Sequence, residues 1–144
     1  MFGLDGDDLI LDRPVDYDGP DVDDRLSGGS GDDGVYGEHG DDSASGGPGD
    51  DDVSGGLGSD LVSSDDGDDY VDGGPPFDTF CDTIYGGAGD DAMDAFNSPP
   101  VTNLVYYDSG NDLVYTDGIN LIASDCEAYI RGPDPDSDDL LYIS

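Results

Sequence analysis

Cationic residues are nearly missing from this chain. It has no lysine, three arginines (Arg13, Arg25, Arg131) and one histidine, His39, against 37 acidic residues, for a formal net charge of -34 at pH 7. Without a basic patch to meet phosphates, nucleic acid is excluded as a partner. One histidine and two cysteines with no H-E-x-x-H supply no zinc ligand set, and no G-x-S-x-G elbow presents a nucleophile. No apolar run exceeds five residues, so the sequence contains no signal peptide or transmembrane helix, and membrane insertion is not expected. Nothing here reads as an enzyme; pairs such as Asp65-Asp66 sit in turns that chelate or face solvent.

What the chain does have is glycine, aspartate and a period. From Gly28 to Asp72 it runs through five contiguous copies of a nine-residue unit: GGSGDDGVY, GEHGDDSAS, GGPGDDDVS, GGLGSDLVS and SDDGDDYVD. The fourth position is always Gly (Gly31, Gly40, Gly49, Gly58, Gly67) and the sixth always Asp (Asp33, Asp42, Asp51, Asp60, Asp69). The eighth is small or apolar (Val35, Ala44, Val53, Val62, Val71). A turn, an oxygen ligand and a core residue recur in fixed order.

The period extends outward. Gly3 to Leu11 fits, with Asp8 and Ile10 in the sixth and eighth positions; an acidic excursion from Asp12 to Asp23 then precedes Asp24-Arg25-Leu26-Ser27. After Asp72 the unit GGPPFDTFCDTIY carries four extra residues. It can be phased through Asp78 and Phe80 or through Asp82 and Ile84, and the second phase is preferred because it runs straight into GGAGDDAMD, with Asp91 and Met93. Beyond this the glycines thin out, and Asn103 to Tyr106, Ser109 to Tyr115 (with Asp112) and Asn120 to Ala123 keep only the second half of the unit.

This pattern resembles the RTX repeat, the hemolysin-type calcium-binding nonapeptide G-G-x-G-x-D-x-U-x. The resemblance implies an all-β fold, a right-handed parallel β-roll (a β-helix solenoid) of stacked nine-residue half-coils with a C-terminal capping region. Each unit is a six-residue turn and a three-residue strand, and only the central strand side chain points inward. The expected organisation is calcium-binding repeats over 1-94, degenerate terminal coils over 95-131 and a capping strand or tail over 132-144.

A core one residue wide is too thin to fold such a chain unaided. Burial yields roughly 25 cal/mol per Å² against backbone ordering of roughly 1 to 2 kcal/mol per residue, and the uncompensated acidic charge adds self-repulsion. Several Ca²⁺ ions are the expected partner, since flexible shells of carboxylate and carbonyl oxygens suit this cation. By parity Asp8, Asp33, Asp51, Asp69 and Asp91 form one ladder, and Asp24, Asp42, Asp60 and Asp82 the other. Asp112 is a further candidate, with loop carbonyls near Gly6, Gly31, Gly40, Gly49, Gly58, Gly67 and Gly89. Binding free energy then becomes folding free energy.

A solvated acidic surface is the competing explanation, but it gives no reason to prefer Asp over Glu or to place it every nine residues. For the fifth-position Asp32, Asp41, Asp50, Asp68 and Asp90, where the RTX family usually has Asn, an outer or exposed role is expected rather than direct ligation. Asp16 to Asp24 and Asp134 to Asp139 look partly like EF-type loops, yet neither has the full twelve-residue spacing, and both read as solvated loops. His39 reads as an exposed turn residue.

The resemblance also implies a disulfide between Cys81 and Cys126, with two free structural cysteines as the other arrangement. Such a bridge would close a loop of about 45 residues and contribute roughly 4 kcal/mol in the chain-entropy view. The apolar residues of the C-terminal third, ending in Leu140-Leu141-Tyr142-Ile143, read as a packed last coil and closing strand. The N-terminus shows no equivalent cap, so an open first coil invites head-to-tail self-association into filaments.

Millimolar calcium points to a secreted, extracellular or cell-surface location. The reading is an extracellular calcium-folded structural or self-assembling protein; the alternative is the calcium-binding C-terminal module of a larger secreted toxin, hydrolase or adhesin.

Overall fold

The computed structural model describes residues 1-12, 22-96, 103-106, 108-116 and 140-143. They form a parallel β-solenoid whose strands are β1 (Leu9–Leu11), β2 (Arg25–Ser27), β3 (Gly34–Tyr36), β4 (Ser43–Pro48), β5 (Asp52–Ser54), β6 (Leu61–Asp66), β7 (Tyr70–Asp72), β8 (Thr83–Ala88), β9 (Ala92–Asp94), β10 (Leu104–Tyr106), β11 (Leu113–Thr116) and β12 (Leu140–Ile143). From β1 to β11 successive strands alternate between two sheets. A long sheet runs β1-β3-β5-β7-β9-β11-β12 and a short sheet runs β10-β8-β6-β4-β2.

Every strand pair is parallel and in the register that the nine-residue period requires. On the long sheet Ile10, Val35, Val53, Val71, Met93 and Val114 stack in one column. On the short sheet Leu26, Ala44, Val62, Ile84 and Val105 do the same. These eighth-position residues, with Ala95, are the whole buried apolar core among the described residues. Each strand from β1 to β11 contributes one inward apolar side chain, because neighbours on a strand point to opposite faces. The lengthened unit Gly73–Tyr85 is absorbed without a register slip, since Ile84 pairs with Val62 and Thr83 with Leu61. The core phase therefore runs through Asp82 and Ile84.

The sheets differ in one respect that the period does not foretell. β4, β6 and β8 continue for six residues into the next turn, pairing Gly47 with Asp65 and Asp65 with Gly87. The first residues are also more engaged than an open coil would be. Ser27 donates to the Met1 carbonyl, Gly3 donates to the Ser27 carbonyl, and the terminal amine bonds to the Arg25 carbonyl, so Met1–Gly3 line the edge of β2. β1 remains the end strand of the long sheet. At the other end β12 adds in parallel to β11, with Leu113 opposite Leu140 and Thr116 opposite Ile143. Among the described residues no helix is long and apolar enough to cross a membrane.

Candidate metal centre

The sixth-position aspartates stand at the entrance to each strand, one residue before it, where the turn folds them back under the sheet. In the long-sheet ladder the backbone N–H of each residue donates to Oδ1 of the one a full coil later. Asp8 donates to Asp33 (2.7 Å), Asp33 to Asp51 (2.8 Å), Asp51 to Asp69 (2.7 Å), Asp69 to Asp91 (3.1 Å) and Asp91 to Asp112 (3.0 Å). The short-sheet ladder repeats the bond from Asp24 to Asp42 (2.7 Å), Asp42 to Asp60 (2.8 Å), Asp60 to Asp82 (3.0 Å) and Asp82 to Asn103 (3.0 Å). Asp8 and Asp24 are half-buried and the others, including Asp112 and Asn103, are buried. Both parity sets are thus brought together, each in its own column.

The second carboxylate oxygen carries the chemical information. Oδ2 of Asp33, Asp42, Asp51, Asp60, Asp69, Asp82 and Asp91 is buried and receives no hydrogen bond. Buried polar atoms in folded proteins nearly always have a partner, and a buried carboxylate without one is disfavoured by several kcal/mol. The same oxygens lie where a side chain on the first glycine of the unit would sit: a Cβ on Gly37 would come within 2.6 Å of Asp42 Oδ2, and one on Gly86 within 2.7 Å of Asp91 Oδ2. The absence of a side chain on that glycine leaves room for the carboxylate itself.

Electrostatics agrees with the geometry. Loss of water raises the Asp42 and Asp51 carboxyls to about 6, Asp60 and Asp91 to about 7 and Asp82 to about 8, and neighbouring carboxylates push the same way, while the ladder N–H bond pulls down. Asp69 is also raised, by burial first. A column of buried anions with no cation to oppose them is held in its charged form only by positive charge from outside the chain.

The turn glycines complete the donor set. Gly6, Gly31, Gly49, Gly67, Gly89 and Gly110 stack in one column and Gly40 and Gly58 in the other, so closely that a Cβ on Gly49 would collide with the Gly31 carbonyl and one on Gly58 with that of Gly40. Gly49 has φ 141 and Gly58 φ 137, a region reserved for glycine. Among the described residues no three His, Cys, Asp or Glu side chains converge on one point, so an ion between rungs would complete its shell from backbone carbonyls. Hard oxygens in a mixed carboxylate and carbonyl set, with buried carboxylate oxygens left without a hydrogen bond, fit Ca²⁺.

The fifth-position residues form a second ladder that the sequence reading left open. Asp32 donates its N–H to Asp7 Oδ1 (3.2 Å), Asp41 to Asp23 (3.2 Å), Asp50 to Asp32 (3.1 Å), Ser59 to Asp41 (2.9 Å), Asp68 to Asp50 (3.1 Å), Asp90 to Asp68 (2.9 Å) and Asn111 to Asp90 (2.9 Å). This exposed ladder runs in the opposite direction to the buried one and accounts for those carboxylates without a metal. Asn also has an acceptor oxygen for this bond, which is why the position tolerates either residue.

Two participants were missed from sequence. Asn103 takes the place of a sixth-position Asp at the end of the short ladder; its signal was the preserved Asn-x-apolar spacing to Val105. Asp78, passed over in phasing the lengthened unit, is nonetheless buried, at 1% exposure. His39 is exposed and its N–H donates to the Gly37 carbonyl (3.0 Å). Cys81 is disulfide-bonded; the chain's only other cysteine, Cys126, lies outside the described residues. Of the two EF-like stretches, residues 16-21 of the first and all of 134-139 also lie outside them.

The family model for the RTX calcium-binding nonapeptide repeat (4 copies) matches residues 21-53, 45-79 and 82-95, about half of the chain. No curated protein and no solved structure matches. With the repeat, the parallel roll and the paired aspartate ladders agreeing, the chain belongs to the RTX calcium-binding nonapeptide repeat family and is a calcium-binding β-roll.

Proposed function

We propose that this chain is an extracellular structural protein whose fold is driven by Ca²⁺ held along the two aspartate ladders, and whose coils stack head to tail. The observation that carries the reading is the set of orphaned, buried Oδ2 atoms repeated once per half-coil. The ions would sit between successive rungs, held by Asp8, Asp33, Asp51, Asp69, Asp91 and Asp112 on one side and by Asp24, Asp42, Asp60 and Asp82 on the other. Carbonyls of the turn glycines would fill the shell. Without the ions, mutual repulsion along each column exceeds what a core of one apolar residue per strand supplies. A bridge from Cys81 to Cys126 would tie the lengthened unit to the terminal region, and 1-94 would be the calcium-loaded part.

Support for stacking comes from the end of the long sheet. β1 is its terminal strand, and Leu9 within it and Leu4 before it are 68% and 80% exposed. An edge strand flanked by exposed apolar residues is a template for another chain. Because opposite ends of a roll differ, such a contact does not close on itself and grows linearly. The extracellular placement rests on calcium: weak, many-ion sites fill at millimolar concentrations, which prevail outside cells.

Far-UV circular dichroism during a calcium titration, with negative-stain images at both ends, tests this. A cooperative gain of β signal, reversed by chelator and not reproduced by magnesium, is expected, with fibres in the calcium-loaded sample. A chain fully folded without calcium would sink the ladder reading. A clean monomer with calcium would instead point to a calcium-loaded module of a larger secreted protein.

A further inference from the structure

The outer face of the short sheet differs from the rest of this aspartate-rich surface. Its strands present two columns outward, Arg25, Ser43, Leu61, Thr83 and Leu104 in one and Ser27, Ser45, Ser63, Tyr85 and Tyr106 in the other. None of these residues is acidic. The matching columns of the long sheet carry Asp52, Asp72 and Asp94. In a chain of net charge -34, two copies meet with least repulsion where carboxylates are absent, and Leu61, on the middle strand of this face, is 45% exposed.

Features at opposite ends of that face complement each other. Arg25, on the end strand β2, is exposed and forms no ion pair among the described residues. At the other end the rings of Tyr85 and Tyr106 stack, with centroids 4.6 Å apart. Tyr106 covers one side of Tyr85, whereas the residue in register on the other side is Ser63, too small to cover it. A cleft of about 420 Å³ opens there, lined by Ser63, Asp65, Asp66, Tyr85 and Asp108 among others. Asp65 is held by the hydroxyls of Ser45 and Ser63, while the Asp66 carboxylate is exposed and accepts no hydrogen bond from the described residues. An open aromatic face beside carboxylates suits a guanidinium, which stacks its plane on the ring and donates its fork of N–H groups to the oxygens. Three strand spacings, about 14 Å, separate β2 from β8, so Arg25 does not fill the cleft of its own chain. On the same spacings, a two-fold axis that exchanges Arg25 with the cleft runs past Ser45 and Leu61.

We propose that two copies of the roll pair laterally through the outer faces of their short sheets, each Arg25 entering the cleft beside Tyr85 of the other copy. Such a contact is isologous and closes as a dimer, unlike the end contact at β1, so it joins two rolls or two filaments side by side. It requires the folded roll and not the end contact, and thus goes beyond the function proposed above.

Sedimentation velocity in calcium tests the pairing on the whole chain carrying Leu9→Asp, which charges the exposed edge strand and blocks stacking. The column of Leu9 already accommodates Asp52. That chain should sediment as a dimer. Adding Leu61→Asp, which brings two like charges together at the axis, or Arg25→Asp should weaken the dimer at least about tenfold while the circular dichroism in calcium stays unchanged. If Leu61→Asp does not fold, Ser43→Asp, in the same column, takes its place. Arg25→Asp combined with Asp66→Arg should restore the dimer, because the two charges have exchanged places across the contact. A dimer that survives the charge at Leu61 or Ser43, or an exchange that fails to restore it, overturns the proposal. A folded monomer overturns it too and leaves the face to a partner of another kind. Stacking is judged separately, by whether fibres of the unsubstituted chain vanish with Leu9→Asp.

Discussion

The two sides of the roll are made from the same unit, yet they have been treated differently. Up to β11, the units feeding the long sheet are all nine residues, from Gly28–Tyr36 through Gly86–Asp94. Over the same span every lengthened stretch feeds the short sheet: Asp12 to Asp23 before β2, the insertion before β8 and the residues before β10. The long-sheet ladder is aspartate throughout, from Asp8 to Asp112, whereas the short one ends on Asn103. One side holds the repeat strictly and the other carries the excursions. Register survives them because the aspartate and the inward apolar residue two positions later re-engage the stack after each one, as insertions confined to one face of a solenoid allow.

Breaking one rung on each side should have the largest effect. Asp51→Asn, in the middle of the unbroken ladder, is expected to raise the calcium midpoint of folding by roughly tenfold or more, because ligand charge sets affinity in such sites. Asp60→Asn should cost less, since burial raises the Asp60 carboxyl to about 7, above the value of about 6 for Asp51, and so leaves less charge at neutral pH for the substitution to remove. Equal midpoints, read by circular dichroism, would erase the distinction between the sides.

A pH series sharpens the comparison at intermediate size. Folded-state values of about 7 for Asp60 and about 8 for Asp82 exceed the value of about 6 for Asp51. Asp42 and Asp91 match Asp51 and Asp60 across the two sides, so as pH falls from 8 toward 5 protons should displace calcium first at Asp82, on the short side, and then from both ladders together. The sign reverses without calcium. Carboxyls raised on folding stabilise the fold below their unfolded value near 3.8, and that stability is lost as pH rises through about 6 to 8. A calcium-free chain should therefore gain β signal on acidification, and a flat response would contradict the burial of these groups.

The smallest effect concerns two residues at second positions, one in a unit of each side. Glu38 has φ 70 and Asp65 φ 80, where glycine is the usual occupant. Glu38→Gly should stabilise by about 0.5 to 1 kcal/mol, the relief of left-handed strain less the entropy of glycine. Asp65→Gly should gain nothing, because Asp65 accepts the hydroxyls of Ser45 (2.7 Å) and Ser63 (2.9 Å). Thermal melts in saturating calcium distinguish the two.

Where the period is intact, residue-level detail could be read in advance. The inward column, the two parity sets of aspartates and the phase through Asp82 and Ile84 all follow from counting by nine and placing one side chain in three inside. What counting misses are features decided by the fold in three dimensions. Asp78 lies four residues before the ladder aspartate, and only the path through Pro75 reveals that it is buried. Asn103 presents the same acceptor oxygen as aspartate without the charge, so a search for carboxylates passes over it. The fifth-position ladder depends on the stacking distance between coils, which no single unit contains. The six-residue length of β4, β6 and β8 likewise reflects contacts between neighbouring turns.

The buried ladder has a direction. From Asp8 to Asp91 each N–H of the long-sheet ladder is satisfied by the carboxylate of a coil further along the chain, never by an earlier one. A coil removed from the far end would strand a buried donor in the coil before it, whereas a coil removed from the near end would leave behind only a carboxylate oxygen that water or an ion readily serves. The exposed fifth-position ladder runs the other way, but water can replace its bonds at either end. The column therefore frays asymmetrically, peeling from its first coil with less loss than from its last. As the chain is synthesised from its first residue onward, each coil would stay incomplete until its successor arrives, so that closure follows the chain in the order of its sequence.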